Sequence, residues 1–203
     1  MTDAVNPYRL TAATVLAAGL RRATTALFAE SSSAMFFSTY ALDRLTEAAH
    51  PYARASMHFG SMGHALGGAI GFCAVTGQRA IVLTGDGSLH LLNPLPTAVK
   101  HRLRLTLVVL NDARLSLPFH GSGSILAFGA QSTTLLPDWD FTQSGSDQVG
   151  GRRITRDDEI AAALEEALAF DGCFIVDALT DRGVKPPMKS RERSVNTLLG
   201  GGS

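Results

Sequence analysis

The 203-residue sequence predicts an α/β fold: an open, mostly parallel, doubly wound sheet with helices on both faces. Three observations carry this reading. Continuous apolar runs rich in Val, Ile and Leu stand at 80–84 and 105–110, as suits strands buried on both faces of a parallel sheet. Helix-like segments alternate with such runs, which implies βαβ units. Gly-Asp-Gly and Asn-Asp turns follow the two runs directly, where such sheets place their ligand sites.

The elements follow in order. Residues 10–22, rich in Ala and Leu, read as a helix, and the short apolar run 26–29 ends at Glu30. Residues 34–49 are helix-like and closed by Pro51; 54–59 reads as a strand and 62–75 as a helix of small residues. Between the two apolar runs, 96–102 is the crossover helix. The stretch 116–137 breaks the alternation: it is rich in Gly, Ser and Thr and long for a connection, which marks it as functional or mobile. Residues 157–170 form a helix with an acidic first turn, Thr155 and Asp158 resembling a capping box, and 174–178 is the last strand. Residues 1–185 read as a single domain; 186–203, with two prolines and a terminal Gly-Gly-Gly-Ser, read as a flexible tail.

Composition excludes several function classes. Apolar residues make up 45% and charged residues 18%, which suits a filled core rather than disorder. Formal net charge is zero, so neither a basic footprint for nucleic acid nor a polybasic membrane patch is expected. No apolar run approaches the roughly 20 residues of a membrane span, and no secretory signal pattern opens the chain. Cys73 and Cys173 are far apart, each within an apolar segment, and read as buried free thiols of a cytoplasmic protein.

Three features fall at expected strand ends. In Thr84-Gly85-Asp86-Gly87-Ser88 the glycines let backbone N–H groups approach an anion, and Asp86 supplies a hard oxygen ligand. Asn111-Asp112-Ala113-Arg114 brings a second carboxylate to the next strand tip, an unfavourable pairing unless a cation lies between the two. Phe59-Gly60-Ser61-Met62-Gly63 opens a helix containing Gly67, Gly68 and Gly71 and lacks the Gly-x-Gly-x-x-Gly of a dinucleotide loop. Taken singly, each is also an ordinary turn or packing sequence.

Together the three features resemble the thiamine-diphosphate enzymes. Gly85-Asp86-Gly87, then the 23 residues Ser88 to Leu110, then Asn111-Asp112 is similar to that family's signature. Gly60-Ser61-Met62-Gly63 is similar to the Gly-x-(Leu/Ile/Met)-Gly of its decarboxylases, and Glu30-Ser31-Ser32-Ser33 resembles the diphosphate-holding loop of pyruvate and benzoylformate decarboxylases. Leu136-Pro137-Asp138-Trp139 looks like the family's lead into a late helix, and Phe174-Ile175-Val176-Asp177-Ala178 with Pro186-Pro187 resembles its ending.

This resemblance implies the thiamine-diphosphate-binding fold, with thiamine diphosphate and Mg2+ as cofactors. It implies Asp86, Asp112 and the main-chain carbonyl of Arg114 as metal ligands, and Ser31, Ser33, Gly85, Gly87 and Ser88 around the diphosphate. Asp112 replaces the usual Asn, a departure found in acetolactate-synthase-like members, and its extra charge should strengthen the hold on a divalent cation. Asn111 then becomes a structural neighbour at the cofactor site. Ser61 and Met62 fall in the cofactor turn: Met62 matches the apolar wedge between the cofactor's rings, and the Gly60 carbonyl matches the acceptor for its exocyclic amine. His90 and His120 stand out as residues that could face a substrate, His58 and His64 flank the turn, and each is otherwise a structural hydrogen-bonding residue.

The activity implied is decarboxylation of a small 2-oxo acid, releasing an aldehyde or ligating the acyl carbanion to a second carbonyl. The family's activating Glu sits on a separate pyrimidine-binding domain. Neither Glu30, in the implied diphosphate loop, nor Glu47, in the following helix, fits that role. The expectation is half an active site, completed by a partner subunit in an α2β2-type heteromer, as in split sulfopyruvate or phosphonopyruvate-type decarboxylases. Alternatives are a non-catalytic cofactor-binding or scaffolding subunit, a split transketolase, or a subunit of a 2-oxo acid:ferredoxin oxidoreductase. The last is disfavoured by the absence of cluster cysteines.

Overall fold

The structure, a computed structural model, describes residues 4–21, 24–45, 51–55, 59–91, 95–121, 131–143 and 146–188. Helix α1 (Pro7–Leu20) starts earlier than its apolar pattern suggests. Asn6 caps it, accepting from Tyr8 N–H at 2.9 Å, and Pro7 occupies the first turn, where a missing N–H costs nothing. Strand β1 (Thr25–Ala29) leads through Glu30 to α2 (Ser33–Leu42), capped by Ser32, whose hydroxyl accepts from Ala34 N–H at 3.1 Å. This helix ends well before the expected residue 49; part of the remainder lies outside the described residues.

Strand β2 (Tyr52–Ala55) precedes the expected 54–59, its register fixed by pairing of Ala26 with Tyr52 through Ala29 with Ala55. Then come α3 (His64–Thr76), β3 (Arg79–Gly85), α4 (Asp86–Leu91), α5 (Leu95–Lys100), β4 (Leu105–Asn111) and α6 (Ser116–Gly121). Neither α4 nor α6 was legible in the sequence, since one turn and a half carries no periodic signal. Strand β5 (Val149–Ile154), α7 (Ile160–Ala169) and β6 (Cys173–Leu179) complete the order. Strand β5 escaped the pattern because its two glycines and two arginines interrupt any apolar run. At Gly150 an added Cβ would lie 2.4 Å from Phe174 Cδ2, so this edge strand closes on a ring that needs the space. Glu159, not a Thr155–Asp158 box, caps the last helix: its carboxylate accepts from the N–H groups of Thr155 and Arg156, each at 2.9 Å.

The six strands pair in the order β2-β1-β3-β4-β6-β5, all parallel. Alternate residues feed two cores. Leu27, Ile81, Leu83, Val108, Phe174 and Val176 pack under α1, α2 and α7; Phe28, Val82, Leu107, Val109 and Ile175 pack under α3 and α5. The order reverses between β1 and β3, and such a switch point opens a crevice at the carboxyl ends of the strands. Packing reaches past the expected boundary at residue 185, since Pro186 and Met188 are buried; residues 189–203 lie outside the described residues. Among the described residues no helix is long and apolar enough to cross a membrane.

Candidate cofactor site

A cavity of about 250 Å³ opens at that switch point. Four strand ends supply its walls: Ser31, Ser32 and Ser33 after β1, Gly85 and Asp86 at β3, Leu110 and Asp112 at β4, and Thr180 after β6. Met62 and Gly60 close one side; Leu115, Ser116 and Leu117 close another. Most residues singled out in the sequence therefore meet here, although Ser31 and Asp112 stand 81 positions apart in the chain (112 − 31). Ser61 and Asn111 do not line the cavity.

Asp86 stands at the base of α4 and is 2% exposed. Its Oδ1 accepts from Gly87 N–H at 2.8 Å and its Oδ2 from Arg114 N–H at 3.2 Å. Burial, then the nearby charge of Asp112, push its carboxyl up to about 7, against the pull of these backbone donors. The Gly87 N–H expected to meet a diphosphate is thus engaged by Asp86. Asp86 and Asp112 both line the cavity and feel each other's charge, a repulsion that a divalent cation would relieve. Two side-chain oxygens plus a carbonyl, with phosphate and water completing the shell, is a donor set that suits Mg2+. Among the described residues no group of three or more His, Cys, Asp and Glu side chains gathers as a metal cluster.

The cavity also fits a phosphate group. Ser33 Oγ and Ser88 Oγ are buried with no hydrogen-bond partner among the described residues, and both residues line it. Unpaired buried hydroxyls are costly, and phosphate oxygens would satisfy them. Gly87 leaves room that any side chain would fill: a Cβ there would lie 2.6 Å from Leu115 Cδ2 and 3.8 Å from Met62 Sδ. Gly60 adopts φ +62°, a left-handed turn that glycine enters without strain, and faces Ser31.

Side-chain contacts that the sequence did not specify brace the site. Arg114, expected to act only through its carbonyl, donates from Nε to Asp112 Oδ2 at 2.7 Å; these side chains are 5% and 11% exposed. Ser116 Oγ donates to the same carboxylate oxygen. Glu30 is fully buried: its Oε1 accepts from Ser31 N–H at 3.2 Å and from Ala65 N–H at 3.4 Å, tying β1 to the first turn of α3. Asn111 donates to Asp177 Oδ1 and to the Trp139 carbonyl, each at 2.9 Å. Asp177 enters the sequence reading only as part of the closing Phe174–Ala178 motif, with no role of its own.

The histidines divide. His120 is buried beside Arg114, its Nε2 3.4 Å from Arg114 Nη2, and lies behind the cavity wall. His90 packs edge-on against Phe141, ring centres 5.1 Å apart, and outside the lining. His64 is exposed at the start of α3, and His58 lies outside the described residues. After Trp139 the chain turns about Asp140, whose Oδ1 accepts from Thr142 N–H at 2.9 Å, where the resemblance implied a helix.

Comparison with known proteins places these features in context. The family model described as thiamine pyrophosphate enzyme, C-terminal TPP binding domain, matches residues 32–178. YdaP of Bacillus subtilis (strain 168), named for containing thiamine pyrophosphate, is 32% identical over 137 residues, 64% of this chain and 23% of that protein. The large subunit of acetolactate synthase isozyme 2 of Escherichia coli (strain K12) is 30% identical over 129 residues, 62% of this chain and 24% of that one. In fold, the chain is similar to the thiamine diphosphate-dependent 4-hydroxybenzoylformate decarboxylase of Rhodococcus jostii RHA1: TM-score 0.71, 20% identity, covering 89% of this chain and 33% of that one. The chain thus spans about a quarter of the length of the curated relatives it matches.

Proposed function

Since the chain belongs to the thiamine pyrophosphate enzymes through their C-terminal TPP-binding domain, we propose that its cavity holds the diphosphate of thiamine diphosphate together with Mg2+. Asp86 and Asp112 with the Arg114 carbonyl would hold the cation. Ser31, Ser33, Gly85 and Ser88 would surround the diphosphate, and Gly60 and Met62 would orient the rings. When bound, the cofactor supplies carbanion stabilisation for decarboxylating a 2-oxo acid. This chain's residues bind and orient it, and shield it from water with Leu110, Leu115 and Leu117. The observation that carries the reading is the meeting of the buried Asp86 carboxylate and that of Asp112 with two serine hydroxyls that have no partner among the described residues, all in one cavity.

The reaction we propose is decarboxylation of a small 2-oxo acid, with aldehyde release or transfer of the acyl carbanion to a second carbonyl. The activating glutamate comes from outside these 203 residues, on a pyrimidine-binding partner subunit in an α2β2-type assembly. Support comes from Glu30, whose Oε1 is taken up by the backbone N–H groups of Ser31 and Ala65 at the turns of β1 and α3. The test is co-purification with a candidate pyrimidine-domain protein, followed by assay of 2-oxo acids with thiamine diphosphate and Mg2+. Turnover is expected for the pair; full-rate turnover by the chain alone contradicts the shared-site reading.

A further inference from the structure

Asp112 brings a second carboxylate to the cavity beside Asp86, and the structure shows what accompanies that charge. Arg114 Nε donates to Asp112 Oδ2 at 2.7 Å, and Ser116 Oγ donates to the same oxygen. Arg114 is itself held from behind: Nη2 donates to the Arg182 carbonyl, and the guanidinium lies 4.0 Å over the Phe119 ring. Arg182 Nε in turn donates to the Asp112 carbonyl at 2.6 Å. The ion pair is therefore a largely buried, doubly braced unit within one turn, and a guanidinium stays charged at every accessible pH.

We propose that Arg114 is a charge-compensating residue of the cation site. Its guanidinium cancels the charge Asp112 adds, and with Ser116 it fixes Oδ2 so that the carboxylate meets a cation through Oδ1. The cation then faces the net charge of Asp86 alone. Free Mg2+ is held weakly, and capture depends on phosphate oxygens arriving with it. Asp112 alone was expected to tighten cation binding; the pair with Arg114 offsets that gain. The inference rests on the Mg2+-diphosphate reading of the cavity.

The test uses the full chain and Mn2+ as a paramagnetic probe, with free Mn2+ measured by electron paramagnetic resonance and no cofactor added. Arg114→Gln is expected to bind Mn2+ at least about tenfold more tightly than wild type, because a nearby positive charge is removed. Arg114→Lys, which keeps the charge, stays within about threefold of wild type, and Asp112→Asn with Arg114→Gln returns to that range. Unchanged or weaker binding by Arg114→Gln, or tightening that Asp112→Asn does not reverse, overturns the proposal. If Arg114→Gln does not fold, Asp112→Asn gives the same test with opposite sign: about tenfold weaker binding supports the proposal and unchanged binding overturns it. Calorimetry with thiamine diphosphate at saturating Mg2+ separates the two levels. Cofactor binding by wild type together with a null result for Arg114→Gln removes only the compensation, whereas no cofactor binding and no Mn2+ binding removes both.

Discussion

Asn111 Nδ2 donates at 2.9 Å to Asp177 Oδ1, a carboxylate with no exposed surface. The bond links the carboxyl-terminal halves of β4 and β6. Asp177 Oδ2 also accepts from Phe141 N–H at 3.2 Å and faces Arg153 Nε at 3.6 Å. Asn111 Oδ1 accepts in turn from Ala113 N–H at 3.4 Å, bracing a turn in which Ala113 adopts φ +51°. A buried charge thus holds the turn that aims Asp112 and Arg114.

Asp177→Leu should therefore cost about 2–4 kcal/mol in urea unfolding, because it takes the buried acceptor from the Asn111 amide and the Phe141 N–H. Asp177→Asn, which keeps one acceptor, should cost about half as much. Equal stability of the leucine variant and wild type would show that the network is dispensable.

Glu30→Ala should cost about 1–3 kcal/mol by removing the acceptor of two backbone N–H groups, Ser31 and Ala65, with smaller loss for Glu30→Gln. Thermal unfolding of both variants measures this. An alanine variant no less stable than the glutamine one contradicts the capping role.

Gly87→Ala separates fold from site. The new Cβ meets the flexible end of Leu115, which can swing away, so stability should fall by only about 1 kcal/mol. The swing takes up cavity space, so thiamine diphosphate affinity should drop about tenfold or more by calorimetry. Unaltered affinity would place the ligand elsewhere.

Cys173 offers a pH test. Burial pushes its thiol from an ordinary value near 9 up to about 12. Because the folded value is the higher, this thiol's contribution to stability is full below pH 9 and is lost as pH rises toward 12. At pH 8 an aromatic disulfide reagent should label Cys173 only after unfolding. Prompt labelling of the native chain contradicts the burial.

Much of this architecture was legible in the sequence, and the exceptions have physical causes. The buried runs at β3 and β4 announced themselves because a strand covered on both faces must be apolar throughout, and the acidic and glycine residues beyond them then fell at strand tips. Strand β5 did not, since an edge strand with Gly150 and Gly151 buries only Val149 and Ile154 in its burial pattern. The turn holding Asp112 was readable, but the Arg114 side chain was not. Its direction is set by Arg182, Phe119 and Ser116, partners that chain spacing alone does not bring together.

The central claim, that Asp86 anchors a Mg2+-dependent diphosphate site, is tested most directly by calorimetric titration of the full chain with thiamine diphosphate. Binding is expected with Mg2+ and should fall about a hundredfold or more in excess chelator and in Asp86→Ala, since a metal-bridged diphosphate loses its cation in both. Equal affinity with and without Mg2+, or in Asp86→Ala and wild type, would contradict the account.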